Sequence, residues 1–136
     1  MSAILIVDDD PSIRMIATEL LRSSDHAVLE AADGVEALKI VAAVPIDLVV
    51  LDMLMPNKDG LETILALRES HPHIRIVAIS SGGRADPAGY LKTAMLFGAD
   101  ATLVKPLCLA TFALVVDEVL NRPDARSDPL ATAKAD

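Results

Sequence analysis

The chain has 136 residues, enough for one domain with a hydrophobic core and too few for two ordinary ones. Twelve Lys+Arg against 20 Asp+Glu give a formal net charge of −8, which argues against a nucleic-acid backbone or an anionic membrane surface as partner. With no Trp, one Tyr and two Phe, the core must be built from Leu, Ile, Val and Ala, and stacking of bases on aromatic platforms is not its trade.

In chain order, short apolar runs alternate with amphipathic stretches. Ala3–Val7 is a continuous apolar run that ends at Asp8, followed by Asp9 and Asp10. Ile13, Ile16, Ala17 and Leu20 then fall at helical spacing. A weaker run, Ala27–Ala32, precedes the turn Asp33-Gly34 and a second helical stretch. Ile46–Leu51, interrupted only by Asp47, ends at Asp52. The turn Asp59-Gly60 leads into a helix carrying Leu61, Ile64 and Leu65. Ile74–Ile79 ends at Ser80. Asp86-Pro87 reads as the cap and first residue of a helix that Gly98 terminates. Ala101–Val104 ends at Lys105, and Phe112, Val115, Val116 and Val119 form the last helical stripe. Residues 122–136 lose all periodicity and read as a disordered tail, which sets the domain at residues 1–121.

Five strands alternating with five helices call for an α/β fold: a flavodoxin-like, doubly wound parallel sheet with helices on both faces. Its ligand crevice lies beyond the carboxyl ends of the strands. Four of the five strands end on a reactive side chain: Asp8 and Asp9, Asp52, Ser80, and Lys105. In the strand order 2-1-3-4-5, Asp8, Asp9 and Asp52 converge across a strand spacing of roughly 5 Å. Carboxylates that close repel one another, and either raised pKa values or a bound cation must compensate. A hard, oxygen-seeking ion such as Mg2+ suits them. With the Lys105 charge and the Ser80 hydroxyl, the set suits a phosphoryl group, with one carboxylate attacking phosphorus to form an acyl phosphate.

Segments ILIVDDDPSIR at 4–14, DLVVLDMLMPNKDG at 47–60, IVAISSGG at 76–83 and GADATLVKP at 98–106 stand in this order along the chain. In these four motifs the sequence resembles the receiver domain of two-component response regulators, over about residues 2–121. The resemblance implies that Asp52 is the phosphoacceptor and that Asp9, Asp52 and the main-chain carbonyl of Leu54 hold Mg2+ directly, with Asp8 holding it through water. It implies that Ser80 moves to the phosphoryl group, that Lys105 pairs with it, and that the Lys105–Pro106 bond is cis. It further implies a sensor histidine kinase or histidine phosphotransfer protein as donor. A downstream protein would read a conformational change on the surface of the fourth helix, fifth strand and fifth helix. No enzymatic role is expected beyond slow self-dephosphorylation.

Two features depart from or refine this pattern. Thr102 stands where the family usually carries a Tyr or Phe that turns inward with the switch, and Thr cannot sweep the same volume. Tyr90 and Phe97 are candidate substitutes, with core packing the favoured reading of Phe97. Leu54, two residues past Asp52, cannot orient an attacking water. Two other functions compete: a haloacid-dehalogenase-type, Mg-dependent phosphohydrolase using Asp8 of the Asp8-Asp9-Asp10 motif, and a receiver-shaped interaction module that works without phosphorylation. His71 and His73 have metal-binding spacing but no third ligand nearby, His26 has no visible partner, Asp10 sits at the lip of the site or the start of the first helix, and Cys108 reads as a structural thiol. The single cysteine allows no internal disulfide. The longest nearly apolar stretch, Leu107–Val116, is about half a membrane span, and the N-terminus has no signal-peptide pattern. The expected compartment is the cytoplasm, and the expected form is a stand-alone receiver.

Overall fold

A computed structural model describes residues 2–22, 24–55, 59–81 and 87–123. The elements are β1 (Ala3–Val7), α1 (Pro11–Leu21), β2 (Ala27–Ala31), α2 (Gly34–Ala43), β3 (Leu48–Asp52), α3 (Gly60–Ser70), β4 (Arg75–Ser81), α4 (Pro87–Phe97), β5 (Ala101–Lys105) and α5 (Leu109–Asn121). The strands form one parallel sheet in the order β2-β1-β3-β4-β5.

The unbroken apolar strands follow from burial on both faces, since alternate residues serve two separate cores. Leu5, Val7, Val49, Leu51, Ile76 and Ala78 pack with Ala37, Val41, Ile64, Leu67, Leu91 and Ala94 from α2, α3 and α4. Ile4, Ile6, Leu48, Val50, Val77 and Ile79 pack with Ala17 and Leu21 of α1 and Phe112, Val116 and Val119 of α5. Each fully buried aliphatic side chain is worth about 1.5–3 kcal/mol, so aliphatics suffice where rings are scarce. Phe112 is the one ring fully inside a core among the described residues. Phe97, for which core packing is the sequence expectation, is 39% exposed instead. It is the last residue of α4, where the helix leaves the sheet.

Helix starts are set by carboxylates. Asp10, Asp33 and Asp59 cap α1, α2 and α3 by accepting the backbone N–H of Ser12, Glu36 and Glu62 at 2.9, 2.8 and 2.9 Å. Such caps contribute about 1 kcal/mol each. The expected cap Asp86 lies outside the described residues, as do residues 124–136 of the expected tail. Gly98 closes α4 with φ of 120°, and the N–H of Ala99 returns to Ala94 O at 2.9 Å. A β-carbon at Gly98 would be strained by that φ and would meet the Arg68 side chain at 3.0 Å.

Two polar clamps hold the amino-terminal edge of the sheet. Asp47 stops the expected run at Ile46 and shifts the start of β3 to Leu48: its carboxylate accepts Ala3 N at 2.8 Å and its carbonyl accepts Arg75 N at 3.0 Å. Arg68 of α3 donates to Gly98 O from Nε at 3.0 Å and from Nη2 at 2.7 Å, to Pro72 O and Ile74 O from Nη1, and to Asp100 Oδ2 at 3.0 Å. Asp100 in turn accepts Ile76 N at 2.8 Å. One guanidinium thus joins α3, the end of α4 and the starts of β4 and β5. Arg68→Met keeps the aliphatic stem and removes every donor, so urea unfolding should show a loss on the order of 2–4 kcal/mol. A loss within experimental error would mean that packing alone holds this edge.

Candidate functional site

Parallel strands deliver their carboxyl ends to the same edge, and the register decides which side chains meet there. Val7 pairs with Leu51 across β1 and β3, so Asp8 and Asp52 leave the sheet side by side. Asp8 and Asp52 are buried and Asp9 is exposed. One carboxylate oxygen from each of the three lies within 4.8 Å of the others. From the far strand β5, Lys105 reaches back over the intervening β4. Its Nζ stands 2.9 Å from Asp8 Oδ2 and 3.6 Å from Asp52 Oδ2. The Asp8 contact is a charge contact rather than a well-directed hydrogen bond.

The electrostatics follow from this crowding. Burial, then the neighbouring Asp8 charge, push the Asp52 carboxyl up to about 7, with Asp9 adding to the rise. The Lys105 ammonium and the Leu54 N–H, 3.3 Å from Asp52 Oδ1, pull against it. For Lys105, burial pulls the ammonium down, but its close contacts with the Asp8 and Asp52 carboxylates outweigh that and leave it above the ordinary lysine value. Three carboxylates against one ammonium leave two negative charges uncompensated when all are ionised. An all-oxygen donor set with that excess fits a hard divalent cation.

Ser80 is buried, and its Oγ has no hydrogen-bond partner among the described residues. It sits one residue beyond Ile79, the partner of Asp52 in the sheet. A buried hydroxyl left unpaired costs free energy that a later acceptor can recover. Thr102 pairs with Ala78 and is half-buried. Its neighbours Ala101 and Leu103 pack on the α5 side, which leaves Thr102 and Val104 on the α4 side of β5. The Lys105–Pro106 peptide is cis. Leu54 is half-buried beside Asp52.

Other polar residues resolve into structure. Asp10 accepts both the N–H and the hydroxyl of Ser12. These bonds, the hydroxyl first, hold its carboxyl below the ordinary value. His26, partnerless in the sequence reading, has its Nε2 3.3 Å from Asp117 Oδ1 of α5, a pairing across 91 residues that no local pattern announces. His71 Nδ1 contacts Ser70 Oγ at 2.8 Å, and no metal cluster among the described residues includes it. Cys108 is the exposed N-cap residue of α5, its Sγ 3.4 Å from Thr111 Oγ1. The Tyr90 side chain lies outside what the structure describes.

Sequence reasoning missed two residues that shape the site. A β-carbon on Gly60 would lie 2.6 Å from Met53 Cα and 2.9 Å from Asp52 O. The start of α3 therefore presses onto the peptide that follows Asp52, and only glycine fits. The Asp59-Gly60 turn signals a helix start but not this contact. Arg14 of α1 donates to Asp8 O at 2.7 Å, a bond hidden in what reads as the polar face of a helix.

Comparison with known proteins agrees with this geometry. The family model described as response regulator receiver domain matches residues 4–117. The chain is 35% identical over 125 residues to the sensor kinase CckA of Brucella abortus, and 38% identical over 106 residues to the transcriptional regulatory protein CpxR of Escherichia coli. These alignments cover 90% and 78% of the chain but 13% and 44% of the two relatives, so the chain spans less than half the length of either. Sporulation initiation phosphotransferase F of Bacillus subtilis is 36% identical over 83 residues, covering 61% of the chain and 67% of that protein. Among solved structures, the receiver domain of NtrX from Brucella abortus superposes with a TM-score of 0.82 at 28% identity, over 88% of this chain and 99% of that one. Chemotaxis protein CheY4 of Vibrio cholerae gives 0.78 at 28% identity, over 88% and 98%. These comparisons favour neither the hydrolase nor the phosphorylation-independent reading. The chain belongs to the response regulator receiver domains, the phosphoacceptor modules of two-component signalling.

Proposed function

We propose that Asp52 accepts a phosphoryl group from a phosphohistidine of a sensor kinase or phosphotransfer protein in the cytoplasm, and that the modified domain signals to a partner protein. One observation carries this reading: three carboxylates within 4.8 Å, two of which, Asp8 and Asp52, are bridged by the Lys105 ammonium. Asp8, Asp9, Asp52 and the Leu54 carbonyl would hold Mg2+, which when bound neutralises charge on the transferring phosphoryl oxygens. An ionised Asp52 oxygen forms the new O–P bond as the donor's N–P bond breaks, and the electron pair and a solvent proton go to the leaving imidazole. Lys105 exchanges a carboxylate partner for a phosphoryl oxygen. The unpaired Ser80 hydroxyl gains an acceptor when it reaches that group, and this draws its loop inward.

Because Thr102 replaces the usual ring, the change passes to α4 and β5 without an aromatic swing. Met95, Leu96, Phe97 and Val104 are exposed apolar side chains of α4 and β5, and Leu114 of α5 is another. They support the α4–β5–α5 surface as the face a downstream protein reads.

Incubation with Mg2+ and acetyl phosphate should add ~80 Da, one phosphoryl group, on the peptide containing Asp52, and Asp52→Asn should abolish the adduct. A label on Asp8 would instead support the hydrolase chemistry. Once formed, the acyl phosphate should be long-lived, because Leu54 offers no hydrogen bond to an attacking water. Such a bond is worth about 0.5–1.5 kcal/mol, so Leu54→Asn should shorten the half-life roughly 2- to 10-fold. Equal half-lives for parent and variant would contradict this role of Leu54.

A further inference from the structure

Asp9 differs from its two neighbours in how it is held. Asp8 is anchored four times: its N–H donates to Ala31 O at 3.1 Å, its Oδ1 accepts Asp10 N at 2.9 Å, its Oδ2 faces Lys105 Nζ at 2.9 Å, and its carbonyl accepts Arg14 Nη1 at 2.7 Å. Asp52 is held by its strand and by Leu54 N–H. The Asp9 side chain is exposed and makes no hydrogen bond or ion pair among the described residues. Its direction is therefore set by its backbone, and first by the peptide plane that joins it to Asp8. The oxygen of that peptide is the one Arg14 grips.

Arg14 is itself fixed. It lies in the first turns of α1, with its N–H donating to Asp10 O at 3.2 Å, and its Nε donates to Glu30 Oε1 of β2 at 3.1 Å. The Glu30 carboxylate offsets part of the guanidinium charge, and what Arg14 delivers at the edge of the pocket is a directed hydrogen bond to Asp8 O. A planar guanidinium, with donors at fixed angles, suits a brace between a carbonyl on one side and a carboxylate on the other.

We infer that Arg14, braced by Glu30, is a positioning residue for the metal site: by holding the Asp8–Asp9 peptide it aims Asp9 into the cluster. This rests on the proposed Mg2+ site and adds residues outside the acidic set. Supporting residues of this kind commonly change metal affinity 10- to 100-fold. Two effects of removing Arg14 oppose each other. Loss of positive charge near three carboxylates would tighten cation binding, whereas loss of the brace would weaken it, so the sign of the change decides.

The test is calorimetric titration of Mg2+ into the full chain and its variants, together with thermal melting in EDTA. Arg14→Met should raise the Mg2+ Kd about tenfold. Arg14→Lys, which can donate to Asp8 O but cannot also brace on Glu30 in the same geometry, should recover part of that loss. Arg14→Gln, which removes the same positive charge, should raise the Kd likewise, and it keeps the inference testable if Arg14→Met folds poorly. An unchanged or lower Kd in Arg14→Met, with any loss confined to the metal-free melting temperature, would overturn the positioning role while leaving the metal site standing. A parent chain that binds no Mg2+ would overturn both.

Discussion

Mutual repulsion among Asp8, Asp9 and Asp52 is the constraint around which the rest of this domain is arranged. The parallel sheet creates it, because adjacent β1 and β3 both end at the same edge on carboxylates. Folding brings these groups together and takes Asp8 and Asp52 out of water, and the Asp52 carboxyl is pushed up to about 7 in consequence. Lys105 arrives from β5 to offset part of this, but one ammonium cannot balance three carboxylates. A folded state carrying such a site holds an unfavourable interaction that a cation or a phosphoryl-bound state relieves, which couples the chemistry of the site to the conformation around it.

That local cost is met elsewhere in the structure. β1 to β4 contribute alternate residues to the cores on both faces and β5 to the one under α1 and α5, and the opposite edge of the sheet is bound by the Asp47 and Arg68 clamps. Arg68 also fixes the end of α4 at Gly98. The amino-terminal edge is therefore braced by side chain-to-backbone bonds, while the carboxyl-terminal edge holds the crowded charges and the unpaired Ser80 hydroxyl. Stability sits at one edge and responsiveness at the other.

The sequence made the architecture legible for a physical reason. Strands buried on both faces must be unbroken apolar runs, and the polar residue ending each run marks the sheet edge. Asp8, Asp52, Ser80 and Lys105 are legible as residues that end apolar runs. The exact strand limits are not, because Asp47 lies inside an apolar run yet serves as an edge clamp. Apolarity favours core packing for Phe97, but at the end of α4 it is exposed. Arg14, Glu30, Gly60 and the His26–Asp117 pair were illegible because their partners lie on other elements or on the main chain. A Cβ-sized approach between Gly60 and the Asp52–Met53 peptide leaves no pattern at any sequence period.

The most direct measurement of carboxylate crowding is the thermal stability of the parent chain against Asp52→Asn, in EDTA and in Mg2+, at pH 8 and pH 5. Because the folded-state pKa of Asp52 lies above its unfolded value of 3.8, its ionisation destabilises the fold above pH 7. That penalty shrinks as the pH falls from 7 toward 4. Asp8, Asp9 and Lys105 face the same group and remain in both proteins. In EDTA at pH 8, Asp52→Asn should melt several degrees above the parent, the gap should narrow at pH 5, and Mg2+ should raise the parent more than the variant. A variant that melts below the parent in EDTA at pH 8, or a gap that widens at pH 5, would contradict the crowding on which this reading of the site depends.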